Sequence, residues 1–564
     1  MAVFFYAIIL VNDEKIKGKY MKMNHWKRSA VVLLALVLLF SSCSKETGIT
    51  ETDMTTEVAF EVETPPETIL ETEHEEVDEQ AVLDNYNALV GHVLTDEYFL
   101  PCNVNEEAAN ELRSIPNVVA VGKLDVFEDN EYMLFFETPT DHADPSKGTF
   151  IQRMHVYYEG KDAPNCFYIG GYDLNMIAIP ESREVNAELV CKTFFAEKYG
   201  CNYFEPEYRF YGRSKPEGIN ENDTEFWELL TVEQASDDFH LMIEGIKKVF
   251  SGKWCIEGMS KGGEMVAYHT GRHPEDGDMF LAEATMILLG EGDTDLYEFA
   301  YNEAGDLVLG EAKAEEFRNR ITEFQIECLR NREELAPMLW DEAQNTACTF
   351  STDINMDILF DCTVLDQVYF WQYSAPDSTL DRIDSALNLK NANREVYLDA
   401  LLDALVDGYG PWQYELYQLN DYEDGMYYYL FESFREDGHY GYDFSYLREA
   451  IEGSGSDVKL YVTEDMEKDL WERRIAAEHR EKFPYDPTVL KARIKAVDTT
   501  DENLFIINGL SDIFQTHEVK ESDNPNVRIF NIPNVSHAES TPEYLSEEQL
   551  AEFDSLVRDI MEIG

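Results

Sequence analysis

The stretch "CIEGMSKGGEMVAYHTGRHP", residues 255–274, places a serine and a lysine between glycines, after a short apolar run and before a helical pattern. A phosphate loop requires GxxxxGK[ST], with lysine after the last glycine; here Lys261 precedes Gly262, so the phosphate reading fails. A serine activated by a lysine three positions on fails as well, because position 263 is glycine. Gly258-Met259-Ser260-Lys261-Gly262 does satisfy GxSxG, the sharp strand-to-helix turn that exposes a nucleophilic serine. Side chains two residues to either side of that serine would meet the neighbouring strand and helix, so both positions call for glycine. The helix N-terminus behind Ser260 adds positive partial charge where an oxyanion would form.

Around this turn the sequence alternates. "NCFYIGGYDL" (165–174) reads as a buried strand ending in a Gly-Gly turn, "REVNAELVCKTFFAEKYG" (183–200) as an amphipathic helix with a glycine stop, and "YFEPEYRFYGRS" (203–214) as extended. "LTVEQASDDFHLMIEGIKKVF" (230–250) is a helix capped by Thr231, and "KWCIEG" (253–258) the strand before Ser260. Strands alternating with helices at this pitch imply an α/β fold with a mostly parallel sheet covered on both faces. The alternation stops near residue 290. Helical patterns such as "EAKAEEFRNRITEFQIECLRNREEL" and a tyrosine-dense stretch, 409–446, occupy about 291–452, and strand-like runs resume at "VKLYVT" (458–463), "NLFIING" (503–509) and "VRIFNIP" (527–533).

A nucleophile elbow needs an acid and a histidine later in the chain, each in a loop after a strand. "NLFIINGLSDIF" supplies Asp512 and "VRIFNIPNVSHAES" supplies His537. Ser260 is thus the expected nucleophile, His537 the general base and then acid, and Asp512 the group that orients the imidazole. Asp501, Asp523 and His517 are less well placed alternatives, and His142, His155 and His240, all before the serine, are read as structural. The oxyanion donors are expected to be the backbone amides of Lys261 and of Tyr172, whose loop follows an early strand; Gly170-Gly171 read as a mere tight turn is the alternative.

Composition limits the partners. With 45 basic and 112 acidic residues the formal net charge is -67, which repels phosphate backbones and anionic lipid headgroups, so nucleic acid is not expected. A hydrophobic fraction of 44% is ample for a packed interior. Lys22, Lys27 and Arg28 precede an apolar run, 30–40, too short to span a bilayer and ending in "LFSSCSKE". This resembles a bacterial lipoprotein processing site, with Cys43 lipidated and initiation at Met21 or Met23; an ordinary secretory signal is the alternative. Residues 51–80 carry 12 acidic and no basic residues, an extended tether. The expected location is the cell envelope outside the cytoplasm, with membrane contact through the lipid only. Eight cysteines remain after Cys43, none spaced as a zinc or redox motif, and neither metal nor cofactor is expected.

"TDHADPSKGTFIQRMHVYYEGKDAPNCFYIGGY", "EYRFYGRSKPE", "EQASDDFHLMI", "GMSKGGEMVAYH", "VYFWQY" and "GMYYYLFESFREDGHYGYDF" together resemble the secreted prolyl tripeptidyl aminopeptidases over about residues 130–540. The resemblance implies the alpha/beta-hydrolase fold with an inserted helical cap domain, a serine peptidase that takes short peptides from free N-termini of oligopeptides, and a triad mapping onto Ser260, Asp512 and His537. It also offers Glu436 as an anchor for the substrate ammonium, although Leu430 stands where the family pattern has glutamine. The expected organisation is a signal peptide to Cys43 (1–43), a tether (44–82), a first core part (83–290), the cap (291–452) and a second core part (453–564). A carboxylesterase on the same elbow, or a non-catalytic peptide-binding lipoprotein, is the rival reading.

Overall fold

The computed structural model describes residues 100–101, 107–123, 129–174, 192–285, 294–295, 311–345, 354–367, 376–406, 425–437, 440–441, 444–455, 457–467, 475–510, 512, 519, 521–533, 535 and 537–564. The chain divides into Met1–Val77 and Asp78–Gly564, and everything described lies in the second unit. Cys43 and the tether, like Cys102, Cys191, Cys348 and His517, fall outside the described residues.

The strands are β1 (Leu100–Pro101), β2 (Val118–Lys123), β3 (Glu131–Pro139), β4 (Thr149–Tyr157), β5 (Asn165–Ile169), β6 (Asn202–Pro206), β7 (Trp254–Met259), β8 (Met279–Glu283), β9 (Thr294–Asp295), β10 (Tyr440–Gly441), β11 (Leu504–Gly509) and β12 (Val527–Ile532). Ten of them form one sheet in the order β1-β2-β3-β4-β6-β5-β7-β8-β11-β12. From β6 to β12 all pairings are parallel, whereas β1 to β4, and β4 with β6, pair antiparallel. This is the alpha/beta-hydrolase architecture, with the serine-bearing strand β7 inside the parallel half.

The parallel strands bury both faces, and their alternation sorts side chains into two cores. Phe167, Ile256, Phe280 and Ile506 face the helices Val232–Ile246 and Lys261–Arg272. Cys166, Cys255, Leu281 and Phe505 face the helices Phe194–Tyr199 and Glu547–Ile560. Thr231 caps the first of these helices by accepting the Gln234 amide at 3.2 Å, as its position before the apolar repeat requires.

Between β8 and β11 the described elements are helical apart from the short parallel pair β9 and β10. Two segments differ from the sequence expectation. Of the helix expected over 183–200, residues 183–191 lie outside the described residues; in the described part the helix starts at Phe194, because Thr193 adopts extended backbone and accepts the Ala196 amide as its N-cap. "VKLYVT" joins no strand: the amides of Tyr461 and Val462 donate to the carboxylate of Asp361, so a side chain satisfies backbone groups that a sheet neighbour would otherwise take. The sheet resumes only at Leu504.

Candidate active site

β7 ends at Met259 and the helix begins at Lys261, leaving Ser260 alone at the turn with φ 57° and ψ -122°. For a non-glycine residue this conformation costs on the order of 1–3 kcal/mol and persists only where its surroundings enforce it. The enforcement is visible: the Ser260 amide donates to the Glu283 carbonyl at 2.9 Å, and its carbonyl accepts from the Glu264 amide at 3.1 Å. The flanking glycines are steric necessities. A Cβ on Gly262 would lie 1.8 Å from the Ile169 carbonyl oxygen, and one on Gly258 would lie 2.5 Å from that of Gly262. Serine at a helix start ordinarily turns its hydroxyl back on the first turn, but Ser260 makes no such cap.

Its hydroxyl instead lies 2.9 Å from His537 Nε2. On the other side of the ring, His537 Nδ1 is 2.5 Å from Asp512 Oδ2. Asp512 sits just past β11, its amide donating to the Gly509 carbonyl at 2.9 Å, and His537 opens a short 3-10 turn past β12. Asp512 is fully buried and His537 is 8% exposed, so the carboxylate has little water to compete with the imidazole for it. This pairing fixes the tautomer with the proton on Nδ1 and leaves Nε2 to accept from the serine. Asp501 and Asp523 are exposed.

The Tyr172 loop reaches the same turn. Gly171 has φ 80°, and a Cβ there would fall 3.2 Å from the Lys261 Cγ and Cδ and 3.3 Å from the Gly262 amide nitrogen. The Tyr172 carbonyl accepts from the Tyr208 amide at 2.9 Å, and its ring packs against Tyr211 and Tyr429.

The side chain of Lys261, 3% exposed, has a partner that the sequence did not reveal. Its Nζ donates to Glu432 Oε2 at 2.6 Å and to the Tyr211 hydroxyl at 3.0 Å, and it lies 3.8 Å from the centre of the Tyr208 ring. The Tyr208 and Tyr211 hydroxyls also donate to Glu432, at 2.9 and 3.3 Å. Burial pushes both phenols well above their usual range, while burial draws the lysine down against the pull of Glu432. A buried lysine beside the nucleophile requires a counter-charge, a signal that calls for an acid without saying which one.

Glu436, the expected ammonium anchor, lies one turn further on, 5% exposed, with Oε2 accepting the Val232 amide at 2.9 Å at the start of a helix. Burial raises its carboxyl to about 8. Next to it Asp437 pairs with Arg493, which also lies 3.2 Å from Glu264.

The three histidines read as structural each have a carboxylate: His142 with Asp238 at 2.7 Å, His155 with Glu131 at 2.8 Å, and His240 with Asp276 at 2.9 Å. His240, His273 and Glu275 bring ligand atoms near one another. The two imidazoles stack at 4.0 Å with planes 8° apart, so their in-plane lone pairs do not converge on one ion as arranged. Cys166, Cys201, Cys255, Cys328 and Cys362 are buried.

Residues 104–432 match the family described as PS-10 peptidase S37, a span that contains Tyr172, Ser260 and Lys261, ends at Glu432 and stops before Asp512 and His537. A curated relative, the prolyl tri/tetrapeptidyl aminopeptidase of Streptomyces mobaraensis, is 26% identical over 242 residues, 43% of this chain and 45% of that protein. The match therefore spans less than half of the relative's length. Among solved structures, a proline iminopeptidase from Mycobacterium smegmatis is 13% identical, covers 76% of this chain and 97% of its own, and has a TM-score of 0.27. An alpha/beta fold family hydrolase from Bacillus anthracis str. Sterne is 11% identical, covers 76% and 98%, and has a TM-score of 0.29. At such scores the fold assignment rests on the strand order and the elbow described above.

Proposed function

The chain belongs to the PS-10 peptidase S37 family, and on that premise we propose that it is an exported serine exopeptidase that releases short peptides, tripeptides among them, from the free N-terminus of oligopeptides. The observation that carries this reading is the continuous line from Asp512 through His537 to the Ser260 hydroxyl, at 2.5 and 2.9 Å.

In the proposed reaction the Ser260 Oγ attacks the scissile carbonyl carbon while His537 Nε2 takes its proton. The resulting oxyanion is held by the amides of Lys261 and Tyr172, aided by the helix N-terminus. Collapse breaks the carbon–nitrogen bond, and His537 returns the proton to the leaving amine, leaving an acyl-enzyme on Ser260. Water activated by the same nitrogen then releases the acyl peptide and restores the serine. Asp512 fixes the ring and stabilises the imidazolium at each transfer. Export and anchoring are supported by the basic and apolar segments ahead of Cys43, and an intact-mass measurement that finds no lipid on Cys43 removes that part.

The test is fluorophosphonate labelling of Ser260 together with chromogenic di- and tripeptides, N-terminally free or blocked. Labelling and turnover of the free peptides are expected. Equal turnover of blocked peptides refutes the exopeptidase assignment, turnover of esters alone makes the protein a carboxylesterase, and absence of labelling leaves a binding protein.

A further inference from the structure

We propose that the Lys261–Glu432 ion pair is a positioning device that sets the oxyanion side of the site against the nucleophile, and that Glu432 is not a contact for the substrate ammonium. The inference rests on Ser260 being the nucleophile, but not on the exopeptidase assignment.

A single side chain connects three parts of the protein. Lys261 follows Ser260 directly, and its Cγ and Cδ lie 3.2 Å from where a Gly171 Cβ would be, so the aliphatic stem packs on the Tyr172 loop. Its ammonium ends 2.6 Å from Glu432, at the last residue of the helix Gly425–Glu432 in the segment inserted between β8 and β11. The connection closes on itself. Tyr208 donates its hydroxyl to Glu432 at 2.9 Å and its amide to the Tyr172 carbonyl at 2.9 Å, so the loop that offers one proposed oxyanion donor is tied to the residue that offers the other. Glu432 is 2% exposed and already accepts from one ammonium and two phenols that burial keeps protonated. A carboxylate so committed would have to break a buried charge pair to greet a peptide N-terminus, which is strongly unfavourable.

The experiment compares Glu432→Gln, Lys261→Met and the double variant. Because fluorophosphonate labelling needs the nucleophile, the base and the oxyanion donors but no peptide recognition, its second-order rate constant is the primary measurement. With a cleaved peptide, kcat and KM are measured alongside. Glu432→Gln leaves a buried ammonium unpaired; labelling and kcat should both fall by about 10- to 100-fold with KM within about twofold of wild type. Removing both charges should restore about tenfold of that loss, since no unpaired charge remains. Should Glu432→Gln not fold, Tyr208→Phe deletes one hydroxyl of the circuit and is expected to slow labelling about threefold. Unchanged labelling in the folded variants overturns the proposal, as does a rise in KM that the double variant fails to repair, which would place Glu432 on the substrate. A wild-type protein that labels but cleaves no peptide would refute the exopeptidase assignment while leaving this test in force.

Discussion

Replacing Glu436 with glutamine exchanges a titratable carboxyl for a neutral amide of the same shape in a buried place. Burial raises the carboxyl from 4.5 to about 8, with Glu432 and Asp437 pushing the same way and Arg435 and the Val232 amide opposing them. A folded-state value above the unfolded one means that folding favours the protonated form. The associated stability is complete below about 4.5 and is lost as the pH rises through 8. At about 1.4 kcal/mol per pH unit, wild type should lose about 3 kcal/mol from this group between pH 4.5 and 7, and at most about 5 by pH 8 and above. Glutamine carries no such linkage, and its carbonyl can still accept the Val232 amide. Denaturant unfolding of both proteins at pH 5, 6, 7 and 8 is the assay. The two should be nearly equally stable at pH 5, with the variant gaining steadily on wild type above it. Because the acid is largely protonated at pH 7, the variant should also keep the KM of wild type for N-terminally free peptides at that pH. A stability difference that stays flat with pH refutes the burial account, and a tenfold higher KM would identify Glu436 as the ammonium anchor.

Further outcomes follow from the site geometry. Ser260→Ala should abolish labelling and turnover while peptides still bind, read by calorimetry, and His537→Ala should cost on the order of 10⁴ in kcat. Asp512→Asn keeps the shape but favours the wrong ring tautomer, so a kcat loss approaching the same size is expected, with KM little changed in steady-state kinetics. Gly262→Ala drives a methyl to 1.8 Å from the Ile169 carbonyl oxygen; the strand and helix must separate, and thermal melting should show a loss of several kcal/mol together with lost labelling.

What the sequence made legible was whatever depends on neighbours along the chain. GxSxG declared itself because its serine and both glycines fall within five consecutive residues, and Asp512 and His537 were found because each follows a strand that apolar runs betray. "VKLYVT" misled for the same reason: its pattern is that of a strand, but the carboxylate that takes its amides is about a hundred residues earlier. The antiparallel edge from β1 to β4 was hidden because alternation specifies a strand and not the direction of its neighbour. Glu432 lay out of reach because it stands 171 positions from Lys261, and nothing local marks an acid as the partner of one particular lysine.

The two halves of the site are held by different physics. β11 pairs directly with β8, Leu504 opposite Phe280 and Ile507 opposite Glu283, so Asp512 and His537 are delivered to Ser260 by sheet register, whatever the length of chain between the two strands. Loop entropy rises only slowly with that length, so an insertion of some two hundred residues costs the triad little. The inserted segment reaches the nucleophile through Glu432 on Lys261, a contact with charge and hydrogen bonds but no backbone register. Ser260, His537 and Asp512 should therefore keep their mutual geometry when that ion pair is removed, while the Tyr172 loop drifts. That separation is why the proposed effect of Glu432→Gln falls on oxyanion stabilisation and leaves the proton relay intact.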